Sequence, residues 1–141
     1  MEVTRAVRFE DMGCEGCVNL VLDSLRSMDG VLMVARSGNE LIITYDSDKV
    51  TFSDLMNMVM MHGLALYLRR IVLRLGNARE LGLDEVQRLY REFNDLVSLV
   101  QDVTTHRLFL LMHPDSNPSP LINELRRLGL QVSDPVIDEL G

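Results

Sequence analysis

Asp11-Met12-Gly13-Cys14-Glu15-Gly16-Cys17 contains the only two cysteines of this 141-residue chain. Upstream, Val3 to Phe9 reads as a strand, with Val7 and Phe9 on one face and Arg8 on the other. Downstream, Val18, Val21, Leu22, Leu25 and Met28 recur at spacings of three and four. That is the pattern of an amphipathic helix, expected to start at Cys17 and to stop at Asp29-Gly30. A pair of thiols between the end of a strand and the start of a helix is a candidate soft-metal site. Unpaired N–H groups and the helix dipole stabilise a nearby anion there, which favours the thiolate over the poorly ligating thiol. Gly13 and Gly16 let the loop bend and bring backbone N–H groups toward sulfur. A disulfide across so short a gap constrains almost nothing, so a structural staple is a poor account of the pair. In a reducing compartment such spacing points to metal binding or redox chemistry.

The pattern continues outward from this loop. Val31–Arg36 and Leu41–Tyr45 read as strands around the turn Ser37-Gly38-Asn39, hence a hairpin. Thr51 is placed to cap a second helix, with Asp54 as its capping-box partner, Leu55–Met61 as its body and Gly63 as its stop. Leu64–Leu68 supplies a last strand, and the order is βαββαβ. Residues 70–141 repeat it. Ile71–Leu75 is a strand, and Leu83, Val86, Leu89, Tyr90 and Phe93 mark a helix. Val97–Val103 and Leu108–Met112 are strands around the turn of residues 104–107. Ser119 is placed to cap a helix opening on Pro120, Gly129 ends it, and Leu130–Val132 is a last strand. Met61-His62-Gly63-Leu64 answers Arg127-Leu128-Gly129-Leu130, and no Gly/Ser or Pro linker separates the copies.

The expected fold is therefore α+β: two tandem ferredoxin-like βαββαβ domains, 1–69 and 70–141, each an antiparallel four-stranded sheet with two helices on one face. Neighbouring apolar residues such as Leu32, Met33 and Val34 suggest that part of the other face is covered, by the sister domain or a second chain.

Composition narrows the function. The hydrophobic share of 47% is that of a globular protein. The net charge is −7, and acids outnumber bases in each half, which argues against nucleic-acid binding. No apolar run approaches a membrane span, and the N-terminus has no signal-peptide core, so the expectation is a soluble, cytoplasmic protein without membrane insertion. No Ser/His/Asp set, phosphate loop or paired acidic motif stands out, and an enzyme is not expected.

The first copy resembles the heavy-metal-associated domain family, which comprises copper chaperones, mercury-binding proteins and the N-terminal modules of metal-pumping ATPases. Its motif, Gly-Met-Xaa-Cys-Xaa-Xaa-Cys between first strand and first helix, is met here by Met12, Cys14 and Cys17, with Asp11 in place of the usual glycine and Gly13 in place of the common threonine or histidine. The resemblance implies Cys14 and Cys17 as metal ligands, a chaperone, buffer or sensor role by thiolate exchange, and a metal-transporting ATPase or other metal-acceptor protein as partner. It also implies that Met12 packs beneath the loop. Two thiolates suit Cu(I), whereas Zn(II) normally takes four ligands and needs help. Glu10, Asp11 and Glu15 are the nearby oxygen donors, and His62, just before the glycine that ends the second helix, is a further candidate ligand or else a dipole-favoured surface histidine. His106 and His113 lack ligand spacing. Met56, Met58, Met60 and Met61 crowd one helix and read as core filling rather than a thioether site.

The second copy keeps the fold pattern without the ligands. Leu75-Gly76-Asn77 answers Met12-Gly13-Cys14, and Glu80 answers Cys17, so 70–141 is expected to be metal-free. Two other functions fit the sequence. One is thiol–disulfide exchange at the cysteine pair. The other is a tandem regulatory or assembly module resembling ACT pairs, with homodimerisation through an open sheet face.

Overall fold

The computed structural model describes residues 1–10 and 13–140, with residues 134–140 as backbone only. The chain divides into two compact units, Met1–Tyr67 and Leu68–Gly141.

In the first unit, β1 (Glu2–Arg8), α1 (Glu15–Arg26), β2 (Val31–Ser37), β3 (Glu40–Asp46) and α2 (Phe52–Met61) follow in order. The antiparallel sheet runs β1-β3-β2. The fourth strand expected at Leu64–Leu68 is reduced to one bridge, Phe9 to Leu66. It is flanked by hydrogen bonds from Glu10 N to Ala65 O (2.9 Å) and Tyr67 N to Arg8 O (3.0 Å). The bridge still sits beside β1, so the ferredoxin-like order is kept. Helix α1 buries Val18, Val21, Leu22 and Leu25, its apolar face by the three-and-four rule. Val7, Leu41, Ile43, Phe52 and Leu55 are buried core residues of the same unit. Burying one such side chain stabilises by about 1.5–3 kcal/mol. The capping box is present as expected: Thr51 accepts from Asp54 N, and Asp54 accepts from Thr51 N. Gly30 (φ +94°) ends the α1 turn where a Cβ would meet Lys49 Cβ at 2.8 Å, so no larger residue fits.

The run Leu32-Met33-Val34 has a local cause. The β2–β3 register shifts between Val31 and Met33, a bulge that makes Leu32 the extra residue. Leu32 and Met33 are exposed and Val34 is buried.

The second unit comprises β4 (Arg69–Leu75), α3 (Leu83–Glu92), β5 (Leu96–Asp102), β6 (Arg107–Met112), α4 (Ser119–Arg127) and β7 (Val132–Leu140). Its four-stranded antiparallel sheet runs β5-β6-β4-β7, the same winding as the first. A bulge recurs at the matching place in β5, between Leu96 and Ser98. Leu73, Leu89, Leu108, Leu110, Leu121 and Leu125 form its core. The last strand runs later and longer than the expected Leu130–Val132. Helix α4 also starts otherwise than expected. Ser119 is its first residue rather than its cap, Pro118 holds the cap position, and Asn117 Oδ1 accepts from Ser119 N at 3.1 Å. No helix among the described residues is long and apolar enough to cross a membrane.

Candidate metal centre

Helix α1 begins two residues before the expected start. Cys14, extended at φ −110°, ψ 92°, is its N-cap, and Cys17 lies in its first turn. Ser, Thr, Asp and Asn normally fill a cap by accepting a first-turn N–H. Here sulfur does so: Cys17 N donates to Cys14 Sγ at 3.1 Å. The same geometry aims both side chains at one point, and the two sulfurs are joined in a disulfide. Both residues are exposed, as are Gly13, Glu15 and Gly16 around them. Gly13 takes φ +69°, the left-handed region that turns the loop into the helix at little steric cost.

Glu15, the first helical residue, lies between the cysteines. Its carboxylate is held by Arg36 near the end of β2, from Nη1 at 2.5 Å and Nη2 at 3.2 Å. Arg36 is itself fixed: Nε donates to Gly38 O at 2.8 Å, and the guanidinium stands 5.5 Å from the centroid of the fully buried Phe9 ring. Sequence reasoning found Glu15 as an oxygen donor but missed Arg36. No spacing rule joins residues 15 and 36; only the hairpin brings them together.

The other candidates are placed plainly. His62 is exposed at the C-cap of α2, its backbone N–H donating to Met58 O. His113 Nδ1 accepts from Asp115 N in a turn, and a His106 ring nitrogen lies 3.4 Å from Asn77 O. Asp11 and Met12, named as a possible ligand and as packing beneath the loop, lie outside the described residues. Among the described residues, no three His, Cys, Asp or Glu side chains gather as a metal cluster. Of the clustered methionines, Met56 is fully buried in the core and Met61 is exposed.

The second unit's loop differs from the alignment of Asn77 with Cys14 and Glu80 with Cys17. Helix α3 is capped by Gly82, and its first turn carries Glu85, which accepts from Gly82 N at 2.9 Å. Counted from the helix start, Gly82 and Glu85 stand where Cys14 and Cys17 stand in α1. Asn77 is committed elsewhere, donating to Gly129 O (2.9 Å) and accepting from Gln131 N (3.2 Å). Arg79 binds Leu128 O and pairs with Glu85 at 2.6 Å, and Gln101 clamps the same loop through Arg79 O and Leu81 N. The Gly82 amide and then Arg79 hold the Glu85 carboxyl below its ordinary value.

Comparison with known proteins bears on the family and the fold. Residues 6–60 match the model of the heavy-metal-associated domain. Residues 6–60 of the first unit are therefore a heavy-metal-associated domain. Two solved structures share the fold over both units. One is the water-soluble region of the P-type ATPase CopA from Bacillus subtilis, 13% identical, with TM-score 0.55, covering 94% of this chain and 91% of that one. The other is the N-terminal soluble domains of Bacillus subtilis CopA, 12% identical, with TM-score 0.51, covering 94% and 93%. No curated protein sequence matches. The chain is thus a tandem of ferredoxin-like units of which the first carries the family's motif.

Proposed function

We propose that the chain, with Cys14 and Cys17 reduced, binds one soft metal ion between the two thiolates and passes it to an acceptor by thiolate exchange. The observation that carries this reading is the placement of both sulfurs on one exposed helix start, close enough to bond to each other. Two electrons and two protons convert the disulfide to the two thiols, and a cellular thiol reductant supplies them. The α1 N-terminus then favours deprotonation. Exposure lets an incoming thiol join the ion before the first ligand leaves. The donor set fits Cu(I), which accepts two soft ligands, better than Zn(II), which seeks four.

On this reading the acceptor is a metal-transporting ATPase or another thiol-bearing metal protein, the setting is a reducing cytoplasm, and the role is non-catalytic. Residues 70–141 serve as a ligand-free repeat, with a docking surface as their use. Titration of the reduced protein with Cu(I) and Zn(II), read by mass under native conditions, tests the proposal. One Cu(I) per chain, lost in C14S/C17S, supports it; affinity no tighter than micromolar for either metal refutes it. The disulfide itself favours a second reading, thiol–disulfide exchange. A reduction potential far outside the cellular thiol range removes that reading.

A further inference from the structure

Glu15 sits between the two cysteines, and a carboxylate there is the hard oxygen donor that would turn a two-sulfur site into one suited to Zn(II). The structure does not leave that carboxylate available. Both its oxygens accept from Arg36, whose fork matches a carboxylate in the bidentate manner. Exposed ion pairs are usually weak, because two long side chains must be ordered to make them. This pair avoids much of that cost. The Arg36 side chain is 23% exposed, against 71% for Glu15. It is held at its far end by Gly38 O and stacked on Phe9 before it meets Glu15. The arginine is the fixed partner and the glutamate is captured by it.

We propose that Arg36 is a specificity-determining positioning residue: it withholds the Glu15 carboxylate from the metal and so keeps the Cys14–Cys17 site a two-thiolate, Cu(I)-selective one. This rests on the metal-binding reading above. It extends that reading by assigning the selectivity to a salt bridge outside the motif.

The test uses the full-length reduced protein and compares Cu(I) and Zn(II) affinities, each measured against a competing chelator. Wild type first establishes Cu(I) binding; without it, the metal reading itself has failed and the selectivity comparison falls with it. Given binding, R36M frees Glu15 while keeping an apolar stem over Phe9. Zn(II) binding is expected to tighten about 10-fold, the scale of an outer-partner effect, with Cu(I) affected much less. E15Q in the wild-type background is expected to leave both affinities unchanged, because the carboxylate is already occupied. The double variant E15Q/R36M is expected to return to wild-type selectivity. If the R36M shift persists in the double variant, the arginine acts only through its field and the proposal is wrong. It is equally wrong if E15Q alone weakens Zn(II) binding, or if R36M leaves the ratio unchanged. Thermal unfolding of the metal-free variants checks folding. Should R36M not fold, R36Q supplies the same comparison, since a neutral amide leaves no cation to hold the carboxylate. An unchanged ratio in R36Q then overturns the proposal.

Discussion

The strand-to-helix loops of the two units differ in what the helix start is used for. In the first, sulfur occupies the cap of α1, and Cys14 and Cys17 face each other at the surface. In the second, the same two positions hold Gly82 and Glu85, and the bond runs the other way, from the cap amide to the first-turn side chain. Asn77, Arg79 and Gln101 then tie the second loop to its own unit. One fold thus supports two uses of the same backbone: the first loop leaves its polarizable atoms outward, and the second spends its polar atoms on holding itself in place. The largest consequence is for metal binding. Replacing both thiols, C14S/C17S, is expected to weaken Cu(I) binding by more than about 100-fold, beyond what loss of an outer partner costs. The measurement is competition with a chelator, and retained affinity would mean that the sulfurs are not the ligands.

A transplant sharpens the comparison. If the cap and first-turn positions are what place two thiols on one ion, G82C/E85C should give the chain a second Cu(I) equivalent. A Cβ at Gly82 finds nothing closer than 3.6 Å, and its φ of −75° suits any residue, so the cysteine fits without strain. The variant gives up the Glu85 cap and its pair with Arg79, so a lower melting temperature should accompany the gain. Stoichiometry fixed at one in a folded variant would show that the left-handed turn at Gly13, rather than the cap geometry, is decisive.

The second helices of the units differ more modestly. Thr51 and Asp54 close a reciprocal pair of bonds, whereas Asn117 makes a single one ahead of Pro118. T51A is expected to cost about 1 kcal/mol. N117A should cost less, since Pro118 already fixes the backbone angle at that start. Denaturant unfolding of the two variants checks the order.

These differences also show where the sequence was readable. Thr51 with Asp54, and the left-handed Gly63 and Gly129, announced helix ends by residue chemistry and lie where expected. The repeat was legible because both copies share those stops. The α1 start was misplaced because Gly16 is a poor helix former, and cysteine is not an ordinary cap. The last strand of the first unit was overdrawn because Leu64 to Leu75 holds no Gly, Pro, Asn or Asp to mark where pairing ends. Nor does spacing reveal Arg36 over Phe9 and against Glu15, a contact made only when the hairpin folds beside the loop. The Gly82 and Glu85 pairing was available, as an acid three residues after a glycine and ahead of an apolar face. Aligning Gly76-Asn77 with Gly13-Cys14 hid it.

The smallest expected effect concerns that pairing. The Gly82 N–H, then the Arg79 guanidinium, hold the Glu85 carboxyl below its ordinary 4.5. The folded state therefore binds its proton less readily than the unfolded state. The resulting stability is fully present above about 4.5 and drains away as pH falls through the lower folded value. Asp46, Asp102 and Glu124 are shifted in the same direction, so acid weakens the wild type through several groups. E85Q isolates one of them. Its melting temperature should lie below wild type near neutral pH, with the gap narrowing as both are taken toward pH ~3. The pair is only part-buried and still screened by solvent, so the gap should be a few degrees at most and shrink further with added salt. A gap that stays constant with pH would mean that Glu85 holds the α3 start by shape rather than by charge. The contrast with α1, whose capping sulfur does not titrate in the disulfide form, would then lose its electrostatic half.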